Sequence, residues 1–185
     1  MSLGAWTRGP RLVLALAAVL VALVGGLLAA AGGGDAGLRL VIRSTARTSV
    51  ALFLAVFAAS ALHRVRPGRA TRWLLQNRRY LGLAFAVSQL LHLLAILALG
   101  RVEPTAFADV PWVTIVVGGG GFVVTALMAA TSSDAAVRRL SARRWSRLHR
   151  FGLYYLWAVF TVTYLGANPW MAAVLVAALV LRLAA

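Results

Sequence analysis

The chain has 185 residues, of which 62% are hydrophobic, a formal net charge of +15 and no cysteine, and its mean hydropathy is +0.86. A soluble domain is closer to half apolar and lacks repeated runs of about 20 apolar residues, so this composition excludes an ordinary soluble protein. Without cysteine there are no disulfides, no thiolate-ligated haem and no iron–sulfur cluster. The arginines lie in the gaps between apolar runs, which is typical of membrane proteins and argues against a nucleic-acid partner.

Six apolar segments predict an all-α integral membrane protein, a six-transmembrane-helix bundle embedded in a lipid bilayer. A helix needs about 20 apolar residues to cross the hydrocarbon core. We expect a single domain over residues 1–185, with spans at about 12–31, 48–62, 80–99, 112–130, 149–166 and 170–185. A signal peptide is the alternative for the first segment. Because a signal core usually has about 7–15 apolar residues, we expect this longer segment to be retained.

Three arginines precede the second span at a spacing of four residues: Arg39, Arg43 and Arg47. This spacing places their guanidinium groups on one helical face, beside apolar Leu40 and Val41. The pattern predicts a separate amphipathic helix that lies along the lipid headgroups.

The fourth span contains four consecutive glycines, Gly118 to Gly121. No lysine or following serine or threonine accompanies them, so they do not form a phosphate-binding loop. Glycine permits the close approach of a neighbouring helix or of a flat ligand. Simple helix packing is the favoured interpretation.

The distribution of arginine predicts the topology of the bundle. With six spans, one face collects Arg8, Arg11, two connections with six arginines each, and Arg182, which is fifteen in all. The other face holds Arg39, Arg43, Arg47 and Arg101, which is four. Because cytoplasmic loops carry the excess of basic residues, the N- and C-termini are expected in the cytoplasm.

Two histidines within the spans are candidate haem ligands, since ionisable residues inside a membrane are usually functional. His92 follows Arg79 by thirteen residues, which at 1.5 Å per residue places it roughly 20 Å beyond the basic edge. His149 lies at the start of its span, on the cytoplasmic edge. Axial ligands of one iron must face each other at one level, so the two histidines are expected to serve separate haem sites.

Further candidate ligands lie at each level. At the outer level Tyr164 could ligate, because phenolate ligation of haem is known. At the inner level Arg78 and Arg79 are expected near His149, where their guanidinium groups suit haem propionates. His63 ends the second span at the same edge and is a candidate partner for His149.

Each histidine also has a purely structural interpretation. His63 is typical of a hydrated side chain at the membrane boundary, and His149 could be solvated at the start of its helix. His92 lies among leucines, where an unpaired polar group is costly. A hydrogen bond to Ser88, Gln89 or a neighbouring helix is the alternative to its role as a ligand.

At these residues the chain resembles the ferric-reductase-like transmembrane domain family. Within that family the likeness is to the haem-binding membrane subunits of bacterial periplasmic protein-methionine-sulfoxide reductase systems. It covers about residues 10–185, and the stretch from Trp145 to Arg150 is its most specific part. The matching stretches are Arg78-Arg79-Tyr80-Leu81-Gly82, Leu90-Leu91-His92-Leu93, Ala130-Thr131-Ser132-Ser133, Val137-Arg138-Arg139-Leu140 and Arg144-Trp145-Ser146-Arg147-Leu148-His149-Arg150.

The resemblance implies a six-helix bundle in the bacterial inner membrane that binds one or two b-type haems. It would pass electrons from a quinol or cytoplasmic flavin donor to a periplasmic or other outer-side reductase partner, with quinone or FMN as further candidate cofactors. His92 would ligate an outer haem and His149 an inner one, with Arg78 and Arg79 near the latter. The family usually has a further histidine where this chain has Val162. That departure leaves open one haem, a Tyr164-ligated haem, or a haem-less membrane scaffold or assembly partner derived from the family.

Overall fold

The computed structural model describes residues 8–185, and the first seven residues of the predicted domain lie outside the described part. The described residues form seven α-helices with no β-strand among them. The helices are α1 (Pro10–Ala30), α2 (Gly34–Val65), α3 (Arg69–Val102), α4 (Trp112–Ala130), α5 (Asp134–Leu140), α6 (Ala142–Ala167) and α7 (Pro169–Ala184). The all-α class predicted from the sequence is therefore confirmed.

Helix α2 corrects the prediction of a separate interfacial helix around Arg39, Arg43 and Arg47. These residues belong to the same continuous helix of 32 residues that contains the second span. Val41, Thr45 and Ser49 recur every four residues and are buried, so this part of α2 packs against the bundle instead of lying flat. The arginine spacing does mark an amphipathic stretch of helix, but the apolar side of that stretch packs against protein and not against lipid.

Helices α2 and α3 form a long antiparallel hairpin. The Ser49 hydroxyl donates a hydrogen bond to the Ser88 hydroxyl at 2.8 Å. Near the far end of the hairpin, Arg39 at the start of α2 forms an ion pair with Glu103, which caps the end of α3. Polar side chains thus fix the register of the two helices at several depths.

Helices α4 and α6 are also antiparallel, and glycine allows them to approach closely. The Tyr155 hydroxyl donates to the Val117 carbonyl at 2.9 Å and lies directly over Gly120. Gly121 is in van der Waals range of the Leu156 side chain. The interpretation of the glycine run as a helix-packing surface is therefore confirmed for these two positions.

Several hydrogen bonds bring the two described chain ends to one end of the bundle. The Gly9 amide, before α1, donates to the Asn77 side chain at 3.1 Å. Arg182, near the end of α7, donates to the Phe57 carbonyl at 2.6 Å. Since the α2–α3 and α4–α6 connections, with their many arginines, lie at this same end, we call it the basic end. The other end, marked by Glu103, is the opposite end.

Four of the described helices, α1 to α4, are long and apolar enough to cross a membrane. Helix α7 is apolar but has 16 residues, and α6, whose first nine residues include four arginines, is not among the four. The six-span bundle is thus supported for four helices and stays a prediction for α6 and α7. The basic connection before α6 contains the short helix α5, which the sequence analysis did not predict.

The centre of the bundle is filled by aromatic rings. Phe53 lies 5.2 Å from Phe160 and 6.0 Å from Phe85, measured between ring centroids, and it stacks on Phe57 at 5.4 Å. Phe53 and Phe57 are almost completely buried. These rings form the floor below the basic end, and we call Phe53, Phe57, Phe85 and Phe160 the aromatic layer.

Candidate functional site

A cavity of about 620 Å³ opens at the basic end, between α2 and α3 on one side and α4 and α6 on the other. This volume is within the range of sites that hold small molecules and cofactors, roughly 300–1,000 Å³. Its walls are mainly apolar and its floor includes Phe53 and Phe85 of the aromatic layer. The ionisable residues that line it are His149, Arg78, Arg79, Arg150, Arg182 and Asp134.

His149 is held rigidly in the cavity wall. Its ring stacks on Trp145, with the centroids 4.2 Å apart, and its Nε2 atom lies 3.0 Å from the Thr131 hydroxyl. The Trp145 indole in turn donates to the Thr131 carbonyl at 2.9 Å. The sequence analysis placed His149 at the start of its helix, but α6 begins seven residues earlier, at Ala142. Two turns of helix therefore precede the imidazole and carry the tryptophan that orients it.

Two arginines reach the cavity from different helices and bind the same stretch of α2. The Arg78 guanidinium donates from Nε to the Val56 carbonyl at 3.1 Å and from Nη1 to the Ser60 hydroxyl at 3.2 Å. Arg182 donates to the next carbonyl, that of Phe57, and its guanidinium lies 4.8 Å above the Phe57 ring. Neither of these hydrogen-bond sets includes a carboxylate.

The cavity lining carries an excess of positive charge. Among the residues that line it, Asp134 is the acidic one, and it forms an ion pair with Arg79 at 2.7 Å. Four arginines minus one aspartate leaves three positive charges, with His149 neutral. Charge in a partly desolvated site is costly unless it is balanced, so the cavity favours an anionic ligand.

Arg182 was missed as a site residue by the sequence analysis, which counted it only toward the topology. A signal was available, because Arg182 is the only charged residue in the otherwise apolar last helix. A lone ionisable residue in such a segment usually faces the interior of the bundle. Thr131 was likewise quoted only for the resemblance, and its contact with His149 depends on the packing of α4 against α6.

His92 lies at a different level from the cavity. Its Nδ1 atom is 3.0 Å from the Thr45 hydroxyl, whereas the cavity arginine Arg78 binds the Val56 carbonyl. Thr45 and Val56 are eleven residues apart on α2, or roughly 16 Å along the helix axis. The two histidines are therefore at separate depths, as predicted.

The surroundings of His92 differ from those of His149. Its ring faces Phe122 at 6.0 Å, and it lines neither the large cavity nor a second one of about 410 Å³. That second cavity lies between α1, α3 and α4 and is almost entirely apolar, with Leu90, Leu93 and Phe122 in its wall. Its lining brings no charged or ligating side chain to a bound molecule.

The remaining predicted site residues lie away from the large cavity. His63 Nδ1 is 3.0 Å from the Thr71 hydroxyl at the turn between α2 and α3, and His63 does not line the cavity with His149. Tyr164 is buried in the apolar core together with Phe53 and Phe85. Val162, the position at which the sequence analysis noted a departure from the family that the chain resembles, is 70% exposed on the outside of the bundle. The structure therefore brings together His149, Arg78 and Arg79, but not His63 or Tyr164 with them.

Comparison with known proteins finds a curated relative of this chain. Over 118 residues the chain is 34% identical to the protein-methionine-sulfoxide reductase heme-binding subunit MsrQ of Ralstonia nicotianae. The aligned stretch covers 61% of this chain and 52% of that protein. The chain thus spans about half the length of this relative. No family model matches the chain, and no solved structure does. The predicted likeness of this chain to the haem-binding subunit MsrQ is confirmed by this similarity.

Proposed function

We propose that the chain is a haem-binding membrane subunit that passes electrons to a reductase partner. The observation that supports this most is the joint presence of His149 and four arginines in one cavity with apolar walls. The name of its relative, a heme-binding subunit of a reductase, points to the same chemistry. The residues themselves provide an independent test of whether a b-type haem would fit.

The cavity offers such a haem an apolar surface, one imidazole and several guanidinium groups. The macrocycle is flat and apolar, and Phe53, Phe85 and Leu156 supply an apolar surface. An imidazole that ligates a metal usually bonds a protein oxygen through its second nitrogen, which fixes the ring. The Thr131 hydroxyl bonds His149 Nε2, so Nδ1 would be the nitrogen that holds the iron.

The arginines supply the complement to the two propionates. Guanidinium groups form short, charge-assisted hydrogen bonds to carboxylates, often in pairs. Arg78 and Arg182 are free of carboxylate partners in the described hydrogen bonds, while Arg79 is already bound to Asp134. We therefore expect the propionates to lie against the arginines of the cavity, among which Arg79 is already paired with an acidic residue.

When bound, the haem would supply the one-electron chemistry. The protein's own contribution is to hold His149 in one orientation, exclude water with the aromatic layer and set the electrostatic potential with arginine. No residue of the cavity is assigned to making or breaking bonds of a substrate. Catalysis would belong to the reductase partner.

The ends of the bundle suggest where donor and acceptor bind. Both described chain ends and both arginine-rich connections lie at the basic end, which by the positive-inside tendency faces the cytoplasm. We propose that a quinol or flavin donor reduces the protein there and that the reductase partner docks at the opposite end, on the outer side of a bacterial inner membrane. Quinone and FMN remain candidate cofactors on the strength of the resemblance alone.

The two histidines differ in their surroundings. We propose one haem, at His149, because that histidine alone shares the cavity with arginines. The assignment of His92 and Tyr164 to a second haem stays a prediction. The exposed position of Val162 shows that a histidine there would need a different orientation of α6 to face the bundle.

Haem content of purified variants tests the proposal. We expect reduced-minus-oxidised spectra of the detergent-purified protein to show a b-type haem, and His149→Ala to lose it. His63→Ala is the matched control, because His63 also bonds a threonine but lies outside the cavity. Circular dichroism and gel filtration would confirm that both variants remain folded. Full haem content in folded His149→Ala would refute the site, and a lower content in His92→Ala would reveal a second haem.

A haem-less membrane scaffold is the second candidate function, and one observation favours it. One ring nitrogen of each of the three histidines lies 3.0 Å from a threonine hydroxyl, and no buried side-chain nitrogen or oxygen of the described residues lacks a hydrogen-bond partner, so no histidine ring requires a metal. Protein that contains no haem after expression with ample haem supply would select this function over electron transfer.

A further inference from the structure

Arg78 and Arg182 are placed as a pair although they belong to helices far apart in the sequence. Arg78 comes from the start of α3 and Arg182 from the end of α7. Their guanidinium groups donate to the carbonyls of Val56 and Phe57, two consecutive residues of α2. Both side chains line the same cavity. One stretch of α2 therefore aligns two cations side by side at the cavity wall.

This arrangement is unfavourable unless an anion joins the two groups. The positive charge of Arg182 acts repulsively on Arg78. The acidic residue of the cavity lining, Asp134, bonds Arg79 instead. The carbonyls of Val56 and Phe57 satisfy some donors of each guanidinium but carry no net charge, and an arginine has five donors. The free donors and the uncompensated charge both point to an oxyanion as the missing partner.

Arg182 is also fixed in a way that suits a binding role. Its guanidinium lies 4.8 Å above the Phe57 ring and 5.8 Å from the Tyr154 ring, as in a cation–π arrangement. Contacts with two aromatic rings restrict the side chain before any ligand arrives, which lowers the entropy cost of binding. An arginine that served only to set the orientation in the membrane would instead extend into the headgroup region, where it is hydrated.

We propose that Arg78 and Arg182 form a single oxyanion site that holds one carboxylate of the haem, so that the last helix closes the cofactor site. This inference rests on the proposed function and adds to it the ligand contact made by α7. A phospholipid phosphate has the same oxyanion chemistry, and the experiment separates the two sources. A shared carboxylate would accept hydrogen bonds from both guanidinium groups and couple α3 to α7 through the ligand.

The first test compares haem with its dimethyl ester, in which both carboxylates are neutral. Haem dissociation from reconstituted protein is followed by transfer to an excess of a haem-scavenging protein. For the native chain we expect the ester to dissociate roughly 10- to 100-fold faster than haem, the effect of losing charge-assisted hydrogen bonds. In Arg182→Gln haem should dissociate faster and the difference between haem and ester should become much smaller, because one of the two guanidinium groups that hold the carboxylate is lost. Arg101→Gln, at the opposite end, is the control that should behave like the native chain.

Two outcomes would overturn the assignment. Equal dissociation of haem and ester from the native chain would show that no carboxylate is held. A native-like preference for haem in Arg182→Gln would show that the carboxylate is held elsewhere. If the ester has no effect but the purified native chain retains phospholipid that Arg182→Gln loses, the oxyanion is a lipid phosphate and the assignment to haem is wrong.

A second test does not require haem and so separates this inference from the proposed function. In haem-free His149→Ala protein, inorganic phosphate should raise the midpoint of thermal unfolding relative to chloride at equal ionic strength, because a ligand that binds the folded state stabilises it. The rise should disappear in His149→Ala with Arg182→Gln. The same rise in both proteins, or in neither, would refute an oxyanion site at this pair, whether or not the native chain binds haem.

Discussion

The two ends of this bundle contain similar residues but use them differently. At the basic end, His149 shares a cavity with four arginines and one aspartate. Farther from the basic end, His92 bonds Thr45 beside Phe122, and at the opposite end Arg39 is neutralised by Glu103 and Asp35. Both histidines have a threonine partner at 3.0 Å. The difference therefore lies in the space and charge around each ring, not in the ring or its hydrogen bond.

This contrast shows which features of a membrane histidine point to a cofactor. Burial and a hydrogen bond are common to both sites, so neither separates a ligand from a satisfied core residue. Two features occur together only at His149 among the histidines. They are an open volume beside the ring and a positive charge that acidic residues do not balance. The aromatic layer lies below that volume and fills the centre of the bundle.

The largest effect is expected from filling the cavity. Gly82 lines it, and a Cβ atom added there meets nothing within 4 Å, so the space belongs to the cavity. We expect Gly82→Leu to abolish most haem binding while the helices remain folded. Gly119→Leu is the control, because Gly119 also faces open space but lies outside the cavity. Haem per chain measures the effect, and equal content in both variants would show that the ligand does not use this volume.

The next largest effect concerns the aromatic layer between the two ends. Phe53 is 1% exposed and contacts three other rings. We expect Phe53→Ala to lower the free energy of unfolding by about 3–5 kcal/mol, as is typical for a buried phenylalanine. Phe151→Ala is the control, because that ring is 61% exposed, and its cost should be much smaller. Unfolding in denaturant would measure both, and equal losses would contradict a central role for the layer.

A smaller effect is expected where α4 and α6 pack without a cavity. A Cβ atom on Gly120 would overlap the Tyr155 hydroxyl group, whereas one on neighbouring Gly119 would meet nothing. We expect Gly120→Ala to destabilise the protein by about 1–3 kcal/mol, the usual cost of overpacking. Gly119→Ala should have little effect or be slightly stabilising, since alanine favours helix. A thermal unfolding series that ranks the two variants in the reverse order would refute this packing.

The smallest effects concern the ion pairs at the two ends. Both are partly exposed, so Asp134→Asn and Glu103→Gln should each change stability by less than about 1 kcal/mol. Only Asp134→Asn should alter haem affinity, because it frees Arg79 in the cavity. We expect a rise of no more than about fivefold, which corresponds to about 1 kcal/mol. A haem titration of the two variants would show whether the ends differ as described.

Much of the fold followed from local sequence, because a run of apolar residues specifies a membrane helix without reference to its neighbours. The same reasoning placed His92 and His149 at different depths, since depth depends only on the rise per residue. It failed for the segment from Arg39 to Arg47, where an amphipathic face has the same spacing whether it meets lipid or protein. It also placed His149 at the start of its helix, because the arginines before it resemble a connection.

The site was harder to predict because it depends on which helix faces lie together. Arg78 and Arg79 were placed near His149 from the arithmetic of helix length, and the cavity contains all three. Arg182 follows Arg78 by more than a hundred residues, and only the packing of α7 on α2 brings them together. Thr131 meets His149 for the same kind of reason, through the pairing of α4 with α6.

The length of the α2–α3 hairpin has a consequence for the surrounding lipid. Helix α2 has 32 residues and α3 has 34, which correspond to roughly 48 Å and 51 Å. A hydrocarbon core is about 30 Å thick, so as membrane spans both helices would tilt or extend beyond it by roughly 20 Å. The ion pair of Arg39 with Glu103 would then lie among the lipid headgroups, where both charges are hydrated.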